Sequence, residues 1–145
     1  MEFDNIDVSV PKKQGNLGVA RAVYEYTRMG YTVLAPLSDS DKYDLVVDNG
    51  SQLLKVQVKT TRHKTKQYGD KKAVRTGYQV QLYTSGGNRR KHTAILRQDT
   101  DYDLLFVLAE DGSCWNIPAS ALTGITSMIH VGAQGNRAKY TEYKL

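Results

Sequence analysis

Residues Tyr43 to Lys59 read YDLVVDNGSQLLKVQVK, two alternating apolar and polar runs around Asn49-Gly50. That dipeptide is a strong signal for a two-residue type I′ turn, which needs positive φ at both central positions. Such a turn pairs Asp48 with Ser51 and Asp44 with Lys55. Facing residues of antiparallel strands project to the same side and side chains repeat every second residue. Asp44, Lys55, Gln57 and Lys59 therefore share one face, while Leu45, Val47, Leu54, Val56 and Val58 form an apolar face for burial. A carboxylate, an amide and an ammonium converging on a supported face suit metal-assisted phosphodiester hydrolysis.

The charge that follows this hairpin is concentrated in a quarter of the chain. Residues 1–58 hold six Lys and Arg against eight Asp and Glu, and residues 98–145 hold three against six. Between them, residues 59–97 hold eleven basic residues against Asp70 alone. A polyanion is the natural partner for such a segment. Within it lie the basic stretches at about 60–77 and 85–97.

With 145 residues, one domain spanning 1–145 is expected, with its core at about 14–122, burying about two thirds of its unfolded surface. Cys114 is the sole cysteine, so no internal disulfide forms, and no paired His and Cys spacing indicates zinc. No leader pattern and no apolar run approaching about 18 residues is present. A cytoplasmic protein with no membrane partner is expected.

Residues up to Lys13 lack periodicity and read as an arm or irregular strand. Asn16 caps a helix over Leu17–Met29, with Leu17, Ala20, Val23, Tyr24 and Thr27 as its buried face and Gly30 as its stop. Strands follow at Tyr31–Ala35, in the hairpin, and at Tyr78–Tyr83. A second hairpin joins Tyr102–Leu108 to Ser113–Ile117 about Asp111-Gly112, and Pro118–Leu122 starts a short helix. The segment after Gly124 is ambiguous. Ten tyrosines against two phenylalanines suit half-wet packing, with Tyr24, Tyr31 and Tyr78 expected in the core. His92 and His130 have no partner spacing and read as structural. One helix, about six strands and a small helix make an α+β or α/β domain with a mixed central β-sheet.

Gly15 to Gly18, Gly30-Tyr31-Thr32-Val33, Pro36, Tyr43-Asp44-Leu45 and Val56-Gln57-Val58-Lys59-Thr60 occur in this order. The ordered set, with Trp115-Asn116-Ile117-Pro118 as a closing strand, resembles the PD-(D/E)xK nuclease superfamily, and within it the branch of group I intron homing endonucleases. The resemblance implies a restriction-endonuclease-like core and a magnesium-dependent, sequence-specific endonuclease acting on double-stranded DNA, in a bacterial or phage-infected cell. Mn²⁺ is expected to substitute for Mg²⁺.

On this resemblance Asp44, Gln57 and Lys59 are the catalytic candidates. Asp44, the Val58 carbonyl and Gln57 are the metal candidates, and magnesium suits so small an oxygen set because it keeps several waters. Lys59 orients or deprotonates the attacking water, or steadies oxyanion charge. Lys55, Thr60, Arg62, His63, Lys64, Lys66, Lys71, Lys72, Arg75, Arg89, Arg90 and Lys91 are candidate phosphate contacts, with Gln79 and Gln81 presented to base edges. Relatives carry a glutamate on the first helix where this chain has Val19. Glu25 lies about 240° further around the helix and is a poor substitute, which leaves Asp39, Asp41 or a partner subunit to supply the oxygen. One site cuts one strand, so a homodimer or homotetramer is expected. The alternatives are a structure-selective nuclease of the Holliday junction resolvase or repair type, and a catalytically weakened DNA-binding protein on the same scaffold.

Overall fold

A computed structural model describes residues 11–39, 42–65, 77–86, 93–133 and 138–145. Helix α1 spans Pro11–Arg28 and is followed by strands β1 (Thr32–Leu34), β2 (Leu45–Asp48) and β3 (Leu53–Thr61). Strands β4 (Tyr78–Gln81), β5 (Thr84–Gly86), β6 (Thr93–Ile95), β7 (Leu104–Ala109) and β8 (Cys114–Pro118) come next. A 3-10 turn at Ala119–Leu122 leads to β9 (Met128–Val131). The central sheet has the order β1-β2-β3-β7-β8. Its β3 and β7 run parallel and its other neighbours antiparallel, so the expected mixed sheet is found. Strand β4 pairs with β9 outside that sheet, which places the segment that sequence alone left ambiguous. No described helix is long and apolar enough to cross a membrane.

The strand period divides the core in two. On one face Val56, Val58, Phe106 and Leu108 pack with Ala22 and Tyr26 of α1. On the other, Leu105, Val107, Trp115 and Ile117 pack under β4, β9 and Leu122. Gln57 and Lys59 point to this second side, opposite α1. On the α1 face Tyr26 donates its hydroxyl hydrogen to Asn116 Oδ1 at 2.8 Å, tying α1 to β8.

Three expectations are corrected here. Within the described residues helix α1 runs from Pro11 rather than from Leu17, and proline's fixed φ is compatible with that helical backbone. Its buried face is Gly18, Ala22, Glu25 and Tyr26, a stripe rotated away from the one expected, and Tyr24 is 57% exposed. The β2–β3 turn is a four-residue loop pairing Asp48 with Leu53, because Asn49 does not take positive φ. Its Oδ1 instead accepts hydrogen bonds from the Ser51 and Gln52 N–H groups at 3.0 and 2.8 Å. The register slips by two residues, an even number, so every side chain keeps its face.

Helix α1 meets β3 at close range through Gly18. A β-carbon there would stand 2.0 Å from Thr60 Oγ1, well inside van der Waals range. Gly18→Ala is expected to destabilise the protein by about 1–3 kcal/mol through overpacking. Urea unfolding checks this, and Thr60→Ala in the same chain should restore most of the stability.

Candidate active site

Asp44 precedes β2 and, one step beyond the Leu45–Val56 pair, lies opposite Gln57. Its N–H donates to the Val56 carbonyl at 2.8 Å. Its Oδ2 accepts from the Val58 N–H at 2.8 Å and from Gln57 Nε2 at 2.7 Å. The same Gln57 nitrogen donates to the Val58 carbonyl oxygen at 3.2 Å. Two hard oxygens, one from Asp44 and one from Val58, thus converge on a single amide N–H₂ group in a pocket where Gln57 is 8% exposed.

Lys59 is half-buried two residues further along β3, its Nζ 3.4 Å from the Tyr83 carbonyl oxygen. Burial lowers the Lys59 pKa, and Asp44 offsets this only in part. Burial likewise raises the Asp44 pKa against the opposing pull of the Val58 N–H and Lys59. For both groups the loss of water outweighs mutual attraction, which moves each toward its neutral form. Perturbed acids and bases lying close together make these residues candidates for a functional site.

Residues 9–142 match the PD-(D/E)XK endonuclease family. The chain belongs to that family. A solved bacterial homing endonuclease superposes with a TM-score of 0.71 at 28% identity, covering 92% of this chain and 87% of that one. Protein 5.3 of Escherichia phage T7 is 35% identical over 88 residues, 61% of this chain. The match spans 64% of that protein's length, under two thirds.

In this PD-(D/E)XK chain the donor set fits a divalent cation, since Asp44 Oδ2 and the Val58 carbonyl already share one point of approach and both are ligands magnesium accepts. Gln57 presents its nitrogen to that point, so acting as an oxygen ligand requires its amide to rotate by half a turn. No group of three His, Cys, Asp or Glu side chains that could hold a metal occurs among the described residues. Glu25 does not replace the carboxylate missing at Val19. It is buried between Arg21 at 3.1 Å and Arg28 at 2.8 Å, within α1 itself. Asp39 is exposed, and Asp41 lies outside the described residues.

The remaining candidates separate. Thr60, expected to contact phosphate, is on the α1 face, and its buried Oγ1 sits against Gly18; the period of two sends it away from Lys59. Lys55 Nζ is engaged near the Thr100 carbonyl at 3.4 Å and over the Tyr43 ring at 5.8 Å. Arg62, His63 and Lys64 are exposed beyond the site. Gln79 and Gln81 line a cavity of about 170 Å³ with Lys59 and His63. Lys66, Lys71, Lys72, Arg75, Arg89, Arg90 and Lys91 lie outside the described residues. Sequence analysis missed Gln14, which lines the Lys59 cavity and donates to the Thr60 carbonyl at 3.1 Å. It lies between the stretch read as an arm, which ends at Lys13, and Asn16, the expected helix cap, so no local pattern singled it out.

A lysine whose folded pKa is depressed binds fewer protons than in the unfolded chain, so its contribution to stability rises with pH up to the ordinary value of 10.5. Lys59→Met is expected to melt at a higher temperature at pH 7 and to lack this rise. Thermal unfolding of both proteins from pH 7 to 10 measures the difference.

Proposed function

We propose that this protein is a divalent-metal-dependent, sequence-specific endonuclease of double-stranded DNA, working as a homodimer or homotetramer. The observation that carries this is the convergence of Asp44 Oδ2 and the Val58 carbonyl on one point, with half-buried Lys59 beside it and the cationic segment beyond. Asp44, the Val58 carbonyl and, after rotation, Gln57 would hold Mg²⁺ or Mn²⁺. When bound, such an ion lowers the pKa of water and neutralises phosphate charge. Asp44 Oδ2 is locked by the Val58 N–H, so the carboxylate keeps one direction. Lys59, drawn toward neutrality by burial, accepts or returns a proton at Nζ near the attacked phosphate, or offers that N–H to a developing oxyanion. Arg62, His63 and Lys64 hold the strand by its phosphates, and the basic residues at 66–75 and 89–91 of the sequence add positive charge for the same polyanion.

Mapping of cut ends after incubation with a mixed DNA library and magnesium tests activity and specificity together. Lys59→Ala is expected to lower cleavage by about 10²–10⁴-fold while leaving most binding intact, since many other groups hold the phosphates. Equal loss of both would remove Lys59 from the chemistry. Replacing Arg89, Arg90 and Lys91 by alanine should flatten the dependence of log affinity on log salt by about 0.9 for each phosphate no longer neutralised. A slope equal to wild type would take those residues out of the interface.

Val19, the single carboxylate and the inward amide of Gln57 together favour a second reading, a DNA-binding protein with weakened catalysis. Tight binding with no cleavage across Mg²⁺ and Mn²⁺ would select it, and recovery of cleavage by Gln57→Glu would then show that the missing charge is the cause.

A further inference from the structure

Arg97, just beyond β6, is 2% exposed, a rare state for a guanidinium. Its Nη1 is fully engaged with Asp99 Oδ1 at 2.8 Å and the Leu122 and Ile125 carbonyls at 2.9 Å each. Its Nε and Nη2 have no hydrogen-bond partner among the described residues, and neither does the Tyr102 hydroxyl. The guanidinium lies over the Tyr102 ring at 5.1 Å. Anchored at one nitrogen, it holds out the edge that binds carboxylate and phosphate through two parallel hydrogen bonds. Leaving charged donors unpaired in a buried place is costly, so such an edge signals an absent partner.

Arg97 and Tyr102 line a cavity of about 280 Å³ that Gln57 of the active site also lines. Of the carboxylates near it, Asp99 is matched by Arg97 Nη1, while Asp101 Oδ1 stands 3.6 Å from Lys42 Nζ and is buried without a hydrogen-bond partner among the described residues. Ile95 and Leu96, also on its wall, are 50% and 48% exposed. We propose that this cavity is an anion subsite for a phosphodiester of the DNA strand passing Gln57. Two of its oxygens take Arg97 Nε and Nη2, and one accepts from the Tyr102 hydroxyl. Both nitrogens are closed to bulk water, so the phosphate enters by displacing the half-exposed side chains of Ile95 and Leu96. The subsite rests on the nuclease function proposed above and assigns it two residues outside the metal site.

The test is NMR of the full chain without divalent metal, following the Arg97 Nε–H signal, identified by its loss in Arg97→Lys. A DNA duplex should shift that signal and slow its exchange with water. The same duplex with neutral methylphosphonate linkages should leave it in place. Movement of other arginine and lysine signals with Arg97 unchanged would overturn the subsite while leaving the nuclease function standing. A shift with inorganic phosphate but none with duplex would also overturn it, in favour of a free-anion site. A protein that binds no duplex by any signal would sink both. Because Arg97→Lys can unfold, Tyr102→Phe gives an independent readout. It deletes a buried hydroxyl without a hydrogen-bond partner, so it should raise the melting temperature while weakening DNA binding by about 3- to 10-fold. A variant that melts higher and binds DNA as wild type does would overturn the role of Tyr102.

Discussion

Everything at this site depends on Asp44 continuing a strand ladder with its side chain. Its main-chain N–H bonds the Val56 carbonyl, and the next acceptor, for the Val58 N–H, is Oδ2 of the same residue. A carboxylate held by a backbone donor at 2.8 Å cannot swing away without leaving the Val58 N–H unpaired. The ladder therefore fixes the acid, the Val58 carbonyl and the Gln57 amide relative to one another to within hydrogen-bond tolerance. A functional group held this way needs little reorganisation when a ligand arrives.

The sheet separates stability from chemistry by its two faces. The α1 side is dry and close-packed, with Gly18 admitting Thr60 and Tyr26 reaching Asn116. The other side carries a hydrophobic cluster at its centre and leaves Gln57 and Lys59 at its margin, between two cavities. Polar groups at such a margin lose water without being fully paired. That is why burial dominates both the Asp44 and Lys59 shifts, and why the folded chain carries groups that a purely structural core would have replaced by apolar ones. Arg97 is the same effect in another place, a cation fixed at one nitrogen and unsatisfied at two.

Family membership and this geometry meet at the missing helix carboxylate. With Val19 in place and Glu25 held by Arg21 and Arg28, α1 contributes packing to the site rather than charge. The anionic character that would attract a cation is reduced to Asp44. Under the function proposed above, a cation held by so poor a ligand set would need the substrate phosphate to complete its charge balance, which would couple metal affinity to DNA binding.

The alternation in Tyr43 to Lys59 was enough to put Asp44, Gln57 and Lys59 on one face, and the order of one helix and about six strands anticipated a mixed sheet. Side-chain parity is local and survives an even register error, so it held although the turn is a four-residue loop. Parity equally sends the Thr60 side chain to the other face, against its expected contact with phosphate. The start of α1 and its buried stripe were decided by tertiary packing: Pro11 is compatible with both arm and helix, and only docking on β3 through Gly18 selects one face of a helix whose apolar residues lie nearly all round. The pairing of β4 with β9, the engagement of Lys55 and the cavity joining Arg97 to Gln57 bring together residues distant in the chain. No local pattern encodes such meetings, because they follow from which surfaces the packed sheet leaves uncovered.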